Sequence, residues 1–423
     1  MEKLIIEGGR PLSGTVYVHG SKNAALPILA ASIMVEGNHR IENVPDLLDI
    51  HVMLQILTAL GCRTEYVLGK VTIDTTALHS WHIPDDLMKQ MRSSIFLMGP
   101  MLARFGRVKV HYPGGCAIGE RKIDLHLKGL EALGAKIEES GNTIECRTER
   151  LRGTEISLDY PSVGATENIM MAAATAEGTT VIYNVAKEPE IVDLQNYLNA
   201  MGAQITGAGT DTIMIRGVNR LKPRPYRIIP DRIVAGTMMV AAAVAKGSIT
   251  VKNAIPSHLT SVIHVLRNAG VQVTPENDAI HVQCFSRPKR IDRIVTAPYP
   301  AFPTDLQSQF MVLLSLADGL SVIKETVFEN RFNHVGELLR MGADIRVDLN
   351  SAFIRGIPRL YGANVEATDL RAGAALVIAG LAAKGTTVIG QIHHIDRGYE
   401  RIECMFQQLG ANIERLAPVS KAL

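Results

Sequence analysis

The alternation of apolar and polar positions repeats along the chain. A helix-like run of small and apolar residues ends in glycine and passes at once into an apolar strand pattern. This happens six times, at Gly37, Gly106, Gly178, Gly247, Gly319 and Gly385, with spacings of 66 to 72 residues. Each strand leads through a loop to a second helix pattern that closes on Gly61, Gly134, Gly202, Gly270, Gly342 or Gly410. Those glycines fall where a helix takes a left-handed C-terminal residue. Behind them the residues alternate as hairpin strands do, as in AQITGAGTDTIMIRG (203–217) and ADIRVDLNSAFIRG (343–356).

Each unit reads βαβαββ, which predicts an α/β chain of six repeats with helices packed against sheets. The first helices, such as NIMMAAATA (168–176), IVAGTMMVAAAVA (233–245) and LRAGAALVIAGLAA (370–383), are apolar almost all round. A helix with no polar face is a buried helix. The last unit ends at GANIERL (410–416) and lacks its second hairpin strand. The segment LIIEGG (4–9) is similar to that strand in the other units, for example IMIRG (213–217) and FIRG (353–356), so the N-terminus is expected to complete the last unit. The Pro-rich LKPRPYRIIPDR (221–232) is the one convincing linker. The expected plan is two domains of three units: residues 22–229, carrying the Cys116 loop, and residues 1–21 with 230–423. Two crossing segments would join them and let them hinge around a cleft.

Composition narrows the function. The 423 residues are 47% hydrophobic and 5% aromatic, with 44 Lys and Arg against 42 Asp and Glu. A net charge of +2 gives no general attraction to nucleic acid or anionic membrane, so any anion preference must be local. The five cysteines are widely spaced, with no C-x-x-C pair, which argues against disulfides and structural zinc. MEKLIIEGG (1–9) has no apolar core of signal-peptide length, and the longest apolar run, Ile233–Ala245, is too short to span a bilayer. A reducing cytoplasm fits these features. The thirteen histidines include no i,i+4 pair beside a carboxylate, and no Walker or G-x-G-x-x-G motif joins a strand to a helix. Neither a metal nor a nucleotide cofactor is expected.

The repeats put equivalent segments at the starts of the six first helices: 21–25, 91–94, 161–168, 230–236, 303–309 and 368–373. Helix N-termini favour anions. Ser21, Asp231, Asp305 and Asp369 are good capping types there. Lys22, Arg92, Arg232 and Arg371 in the same places oppose the helix dipole, and such local conflicts suggest function. Loops further on add Arg121, Arg331 and Arg397. Several guanidiniums together imply a dianionic substrate, because the planar fork matches phosphate. Cys116, in PGGCAIGE (113–120), has glycine neighbours and nothing adjacent in sequence to bury it. Arg121 nearby should lower its thiol pKa from about 8.5.

GSKNAALPILAA (20–31), PGGCAIGER (113–121), AFPTDLQSQF (301–310), ETVFENRF (325–332), ATDLRAG (367–373) and HIDRGYER (394–401) together resemble the enolpyruvyl transferases. Among these they are most similar to the family of UDP-N-acetylglucosamine carboxyvinyltransferases of bacterial peptidoglycan synthesis. The resemblance spans the chain and keeps the order of the motifs. It implies a two-domain inside-out α/β barrel, with phosphoenolpyruvate and UDP-N-acetylglucosamine as substrates. It also implies roles residue by residue. Lys22, Arg121 and Arg397 would grip the phosphate of phosphoenolpyruvate, with Asn23, Arg331 and Arg371 also on that substrate and Asp369 lining the cleft. Asn23, Arg92, Arg121, Lys122, Ile123, Asp124, Leu125, Ser162, Val163, Gly164, Asp305 and Val327 would hold the sugar nucleotide. Asp305 would help to deprotonate the sugar 3-hydroxyl, and Cys116 would protonate the methylene carbon.

Two positions depart from some relatives, which carry Lys where this chain has Leu48 and Tyr160. The first loss would weaken phosphoenolpyruvate binding or mark a different paralogue group. Three rival readings stand beside the main one. A sister transferase acting on shikimate 3-phosphate would share Lys22 and the arginines, but the cysteine loop is not part of its pattern. A ring-shaped DNA clamp of six α/β repeats would need basic inner helices, and these are rich in Ala, Val and Met. A catalytically dead paralogue would not need Cys116, Asp305, Arg121 and Arg397 together.

Overall fold

In a computed structural model of the chain, residues 2–112, 119 and 123–417 are described. Cys116, Arg121 and Lys122 lie outside the described residues. The chain divides into two compact units, with boundaries at 19/20 and 229/230.

The unit built on residues 20–229 carries three sheets. The first runs Tyr226–Arg227, Asn38–Glu42, Lys70–Asp74, Arg63–Val67. The second, three-stranded, runs Arg107–His111, Thr143–Arg147, Lys136–Ser140. The third runs Gln204–Thr206, Thr212–Arg216, Thr179–Tyr183, Glu155–Ser157. The first and third open with a parallel pair and close with an antiparallel hairpin. In the second, the parallel partner shrinks to a single bridge between His82 and Lys109. Proline stands two residues on, at 84, and cannot extend a ladder, because it lacks the N–H.

The unit that holds residues 230–417 has three four-stranded sheets of the same design. Strand β1 (Lys3–Glu7) lies between Thr386–Gly390 and Asn412–Leu416, antiparallel to both. Strand β2 (Ser13–Tyr17) runs parallel to Ser248–Lys252. This corrects the simple linear unit. The strand that precedes helix Lys22–Ala31 in sequence does not enter that helix's own sheet, and Tyr226–Arg227 takes the place instead, parallel to Asn38–Glu42.

Each unit has its own apolar core. Helices Arg232–Val244, Gln307–Leu316 and Leu370–Ala382 pack on one another in one core, and all ten residues of Gln307–Leu316 are buried. In the other core Lys22–Ala31 and Val163–Ala173 are buried along nearly their full length. Gly373 lets the turn Ile392–Arg397 come close to helix Leu370–Ala382: a Cβ there would stand 2.5 Å from Ile395 Cγ1. All six glycines that close the second helices have positive φ. Among the first-helix glycines Gly247 is the exception. Lys246 takes the left-handed turn there at φ 53°, and Gly247 instead makes room, since a Cβ would lie 2.3 Å from the Leu12 carbonyl oxygen. No helix among the described residues is long and apolar enough to cross a membrane.

Candidate active site

In the unit of residues 230–417, Asp305 is a bridge between two buried cations. It sits in a 3-10 turn, Thr304–Leu306, and does not cap the helix that follows. Its Oδ1 accepts from Arg331 Nη2 at 2.8 Å and its Oδ2 from Arg371 Nη2 at 2.7 Å. Both arginines are at most 5% exposed, whereas the Asp305 side chain keeps 26%. Burial opposes the charge on Arg371, but Asp305, Tyr399 and Asp231 outweigh it and hold the guanidinium above its ordinary value. The pair is built by local structure. Asp369 caps helix Leu370–Ala382, accepting from the N–H groups of Arg371 and Ala372, which sets the direction of Arg371. His334, 1% exposed, is pushed down to about 4 by burial, with Asp369 raising it and Arg331 lowering it. It is therefore neutral at pH 7.

Arg397 closes a 3-10 turn, Ile392–Arg397, and is half-buried. Val327, also half-buried, follows the strand Leu320–Lys324. Among the described residues, the buried Arg371 Nε and Nη1 atoms meet no hydrogen-bond acceptor. Buried donors of this kind suit an anionic ligand.

In the unit of residues 20–229, Lys22 opens helix Lys22–Ala31 and is 6% exposed. Its Nζ lies 3.1 Å from Asp49 Oδ2, and Asp49 belongs to the first turn of Leu48–Ala59. The carboxylate answers the conflict between a cation and the helix dipole. Ser21, expected as the cap, makes no capping hydrogen bond, and its buried hydroxyl has no partner among the described residues. Asp231 does cap its helix, through Ile233 and Val234 N–H. Asn23 and Leu48 are more open, Leu48 being 46% exposed.

Within this unit, three of the segments expected to hold a sugar nucleotide are tied together by one side chain that sequence reasoning missed. Asn168 is fully buried in helix Val163–Ala173. Its amide nitrogen donates to the Ile95 carbonyl at 3.1 Å and lies 2.8 Å from His126 Nδ1. Its oxygen accepts from Gly99 N–H at 2.8 Å. Asn168 thus ties together the turn Arg92–Leu97, the helix Asp124–Ala132 that follows Ile123 and contains Leu125, and its own helix. Ser162 caps that last helix at Ala165 N–H, 3.4 Å away, and Val163 and Gly164 form its first turn. Gly164 is required by contact, since a Cβ would approach His126 Cε1 to 2.9 Å. Tyr160 is 41% exposed beside this segment. The one signal that could have found Asn168 is the polar run Thr166–Glu167–Asn168 at the head of a helix that is apolar from there on.

These features fit an anion-handling transferase, and the comparisons place it. The family model for EPSP synthase (3-phosphoshikimate 1-carboxyvinyltransferase) matches residues 6–406. The chain belongs to this family. The solved enolpyruvyl transferase NikO from Streptomyces tendae superposes with a TM-score of 0.89 at 27% identity, covering 99% of both chains. EPSP synthase from Acinetobacter baumannii shares the fold, with a TM-score of 0.77 at 20% identity over 99% of this chain and 100% of that one. Within the family the chain belongs with the UDP-N-acetylglucosamine 1-carboxyvinyltransferases. It is 54% identical to form 2 of that enzyme from Caldanaerobacter subterraneus subsp. tengcongensis, over 98% of this chain and 100% of the relative. It is 55% identical to form 2 from Carboxydothermus hydrogenoformans, over 99% and 100%.

Proposed function

We propose that the chain transfers the enolpyruvyl group of phosphoenolpyruvate to the 3-hydroxyl of UDP-N-acetylglucosamine and releases phosphate, in peptidoglycan synthesis. The observation that carries this reading is Asp305 between Arg331 and Arg371: a carboxylate beside two buried cations, within a chain whose relatives catalyse carboxyvinyl transfer. Protonation of the methylene carbon makes its neighbour electrophilic, and the sugar oxygen attacks there as its proton passes to a base. The tetrahedral intermediate then loses phosphate and a methyl proton, which regenerates the vinyl group. The chemistry needs an acid, a base and cations spread over phosphate and carboxylate.

Asp305 is assigned the base, and Cys116 the acid. Lys22, Arg121 and Arg397 are assigned the phosphate of phosphoenolpyruvate, Asn23, Arg331 and Arg371 are assigned to the same substrate, and Asp369 is assigned to the lining of its site. Arg92, Arg121–Leu125, Ser162–Gly164 and Val327 are assigned the sugar nucleotide. An inside-out barrel of three βαβαββ units is proposed for each unit of the chain, and the cytoplasm as its location. Arg121 favours the Cys116 thiolate, so the charge of the bound substrates is expected to raise the thiol again before it delivers its proton.

Phosphate release from phosphoenolpyruvate tests the reading. It should require UDP-N-acetylglucosamine and should not proceed with shikimate 3-phosphate; the reverse preference would overturn it.

A further inference from the structure

A carboxylate outside the proposed machinery organises the ground around Asp305. Glu325 follows the strand Leu320–Lys324 and is 2% exposed. One of its oxygens, Oε1, accepts three hydrogen bonds: from the Thr296 hydroxyl at 2.7 Å, from Val327 N–H at 2.8 Å and from Phe328 N–H at 3.2 Å. The other, Oε2, accepts from the Thr304 hydroxyl at 2.9 Å. Thr304 is the first residue of the turn that carries Asp305. Thr296 in turn accepts from Thr326 N–H at 3.0 Å, which pins the same loop a second time.

We infer that Glu325 is a positioning residue that couples the Val327 loop to the Asp305 turn, setting the place of the base relative to the sugar nucleotide. The inference rests on the proposed roles of Asp305 and Val327. Its physical basis is the division of labour between the two oxygens. Backbone N–H groups at 327 and 328 have no freedom to turn away, so a carboxylate that accepts both fixes the loop at its start. The same rigid group, through Oε2, fixes the side chain next to Asp305. A buried carboxylate that accepts four hydrogen bonds at the end of a core strand carries the position of that strand end to both segments. Positioning of a reacting group to within a fraction of an ångström governs rate, and a misplacement of about 1 Å costs up to roughly a hundredfold.

Three variants, compared with the wild-type full-length protein by steady-state phosphate release, test this. Glu325→Ala should lower kcat about ten- to hundredfold and raise the KM for UDP-N-acetylglucosamine, with the KM for phosphoenolpyruvate nearly unchanged. Glu325→Gln keeps the carbonyl acceptor for Thr296, Val327 and Phe328, and its amide can donate to the Thr304 oxygen. It should restore kcat to within about threefold of the wild type. Thr304→Val removes only the link to the Asp305 turn. It should lower kcat with both KM values unchanged and with the thermal midpoint kept, a split that general loosening does not produce. If Glu325→Ala fails to fold, Thr304→Val decides alone. Wild-type kcat in a folded Thr304→Val or Glu325→Ala would overturn the inference. Lack of any wild-type activity with these two substrates would instead overturn the functional reading on which it rests.

Discussion

Lys22 and Asp49 form an ion pair in the interior of their unit, Nζ to Oδ2 at 3.1 Å, with side-chain exposures of 8% and 5%. Taking away the carboxylate removes a charge-assisted hydrogen bond from a buried ammonium, at a cost of about 1.5–3 kcal/mol. Asp49→Ala is therefore expected to lower the denaturant midpoint and weaken phosphoenolpyruvate binding. Asp49→Asn should do less of both. Equal midpoints for the wild type and Asp49→Ala would show that the pair contributes nothing.

Asn168 supports segments assigned to the sugar nucleotide, so its loss should be selective. Asn168→Ala breaks contacts to Ile95, Gly99 and His126. The expected result is a KM for UDP-N-acetylglucosamine raised about tenfold, with the KM for phosphoenolpyruvate close to the wild type. Proportional changes in both would point to loosening of the whole unit instead.

Glu167 is fully buried, and neither carboxyl oxygen has a partner among the described residues. Burial, then Glu190 and Glu188, raise its pKa well above the ordinary carboxyl value of 4.5. In the folded chain it keeps its proton where the unfolded chain has lost it. Stability therefore falls as pH rises from 4.5 towards the folded pKa. Glu167→Gln copies the neutral form, and that part of the pH dependence should vanish. Urea midpoints at pH 5 and pH 8 should differ less in the variant than in the wild type; an unchanged difference would show that Glu167 titrates normally.

Burial pushes the thiols of Cys62 and Cys146 up to about 12, and raises that of Cys284. At pH 7 these three carry almost no thiolate, the reactive form. Brief exposure to the epoxide fosfomycin with UDP-N-acetylglucosamine present should label Cys116 and leave them intact. Mass spectrometry that locates the adduct on Cys62, Cys146 or Cys284 would contradict the assignment.

Legibility from sequence followed a physical line. Helix ends were readable because a left-handed turn is a local demand on one residue, and glycine meets it at Gly61, Gly134, Gly202, Gly270, Gly342 and Gly410. Capping was half readable. Asp231 and Asp369 cap their helices, whereas Asp305 is taken by arginines 26 and 66 residues away in sequence. No local pattern reports such distant partners. Asp49, Asn168 and Glu325 escaped notice for the same reason: their work is done through contacts that only the folded chain creates. Strand β2 belongs to the sheet of Ser248–Lys252, yet its residues would read alike in either sheet.

The placement of β1 has a consequence for biosynthesis. Its partners are residues 386–390 and 412–416, so a ribosome adding about 5–20 residues per second exposes β1 unpaired for roughly 20 to 80 seconds. The unit of residues 20–229 contains all the strands of its three sheets and can close on itself while translation continues. The other unit is stitched shut only by the last strand to emerge. A truncation before residue 412 would leave β1 with one open edge, making premature termination products candidates for edge-to-edge aggregation rather than for a half-working enzyme.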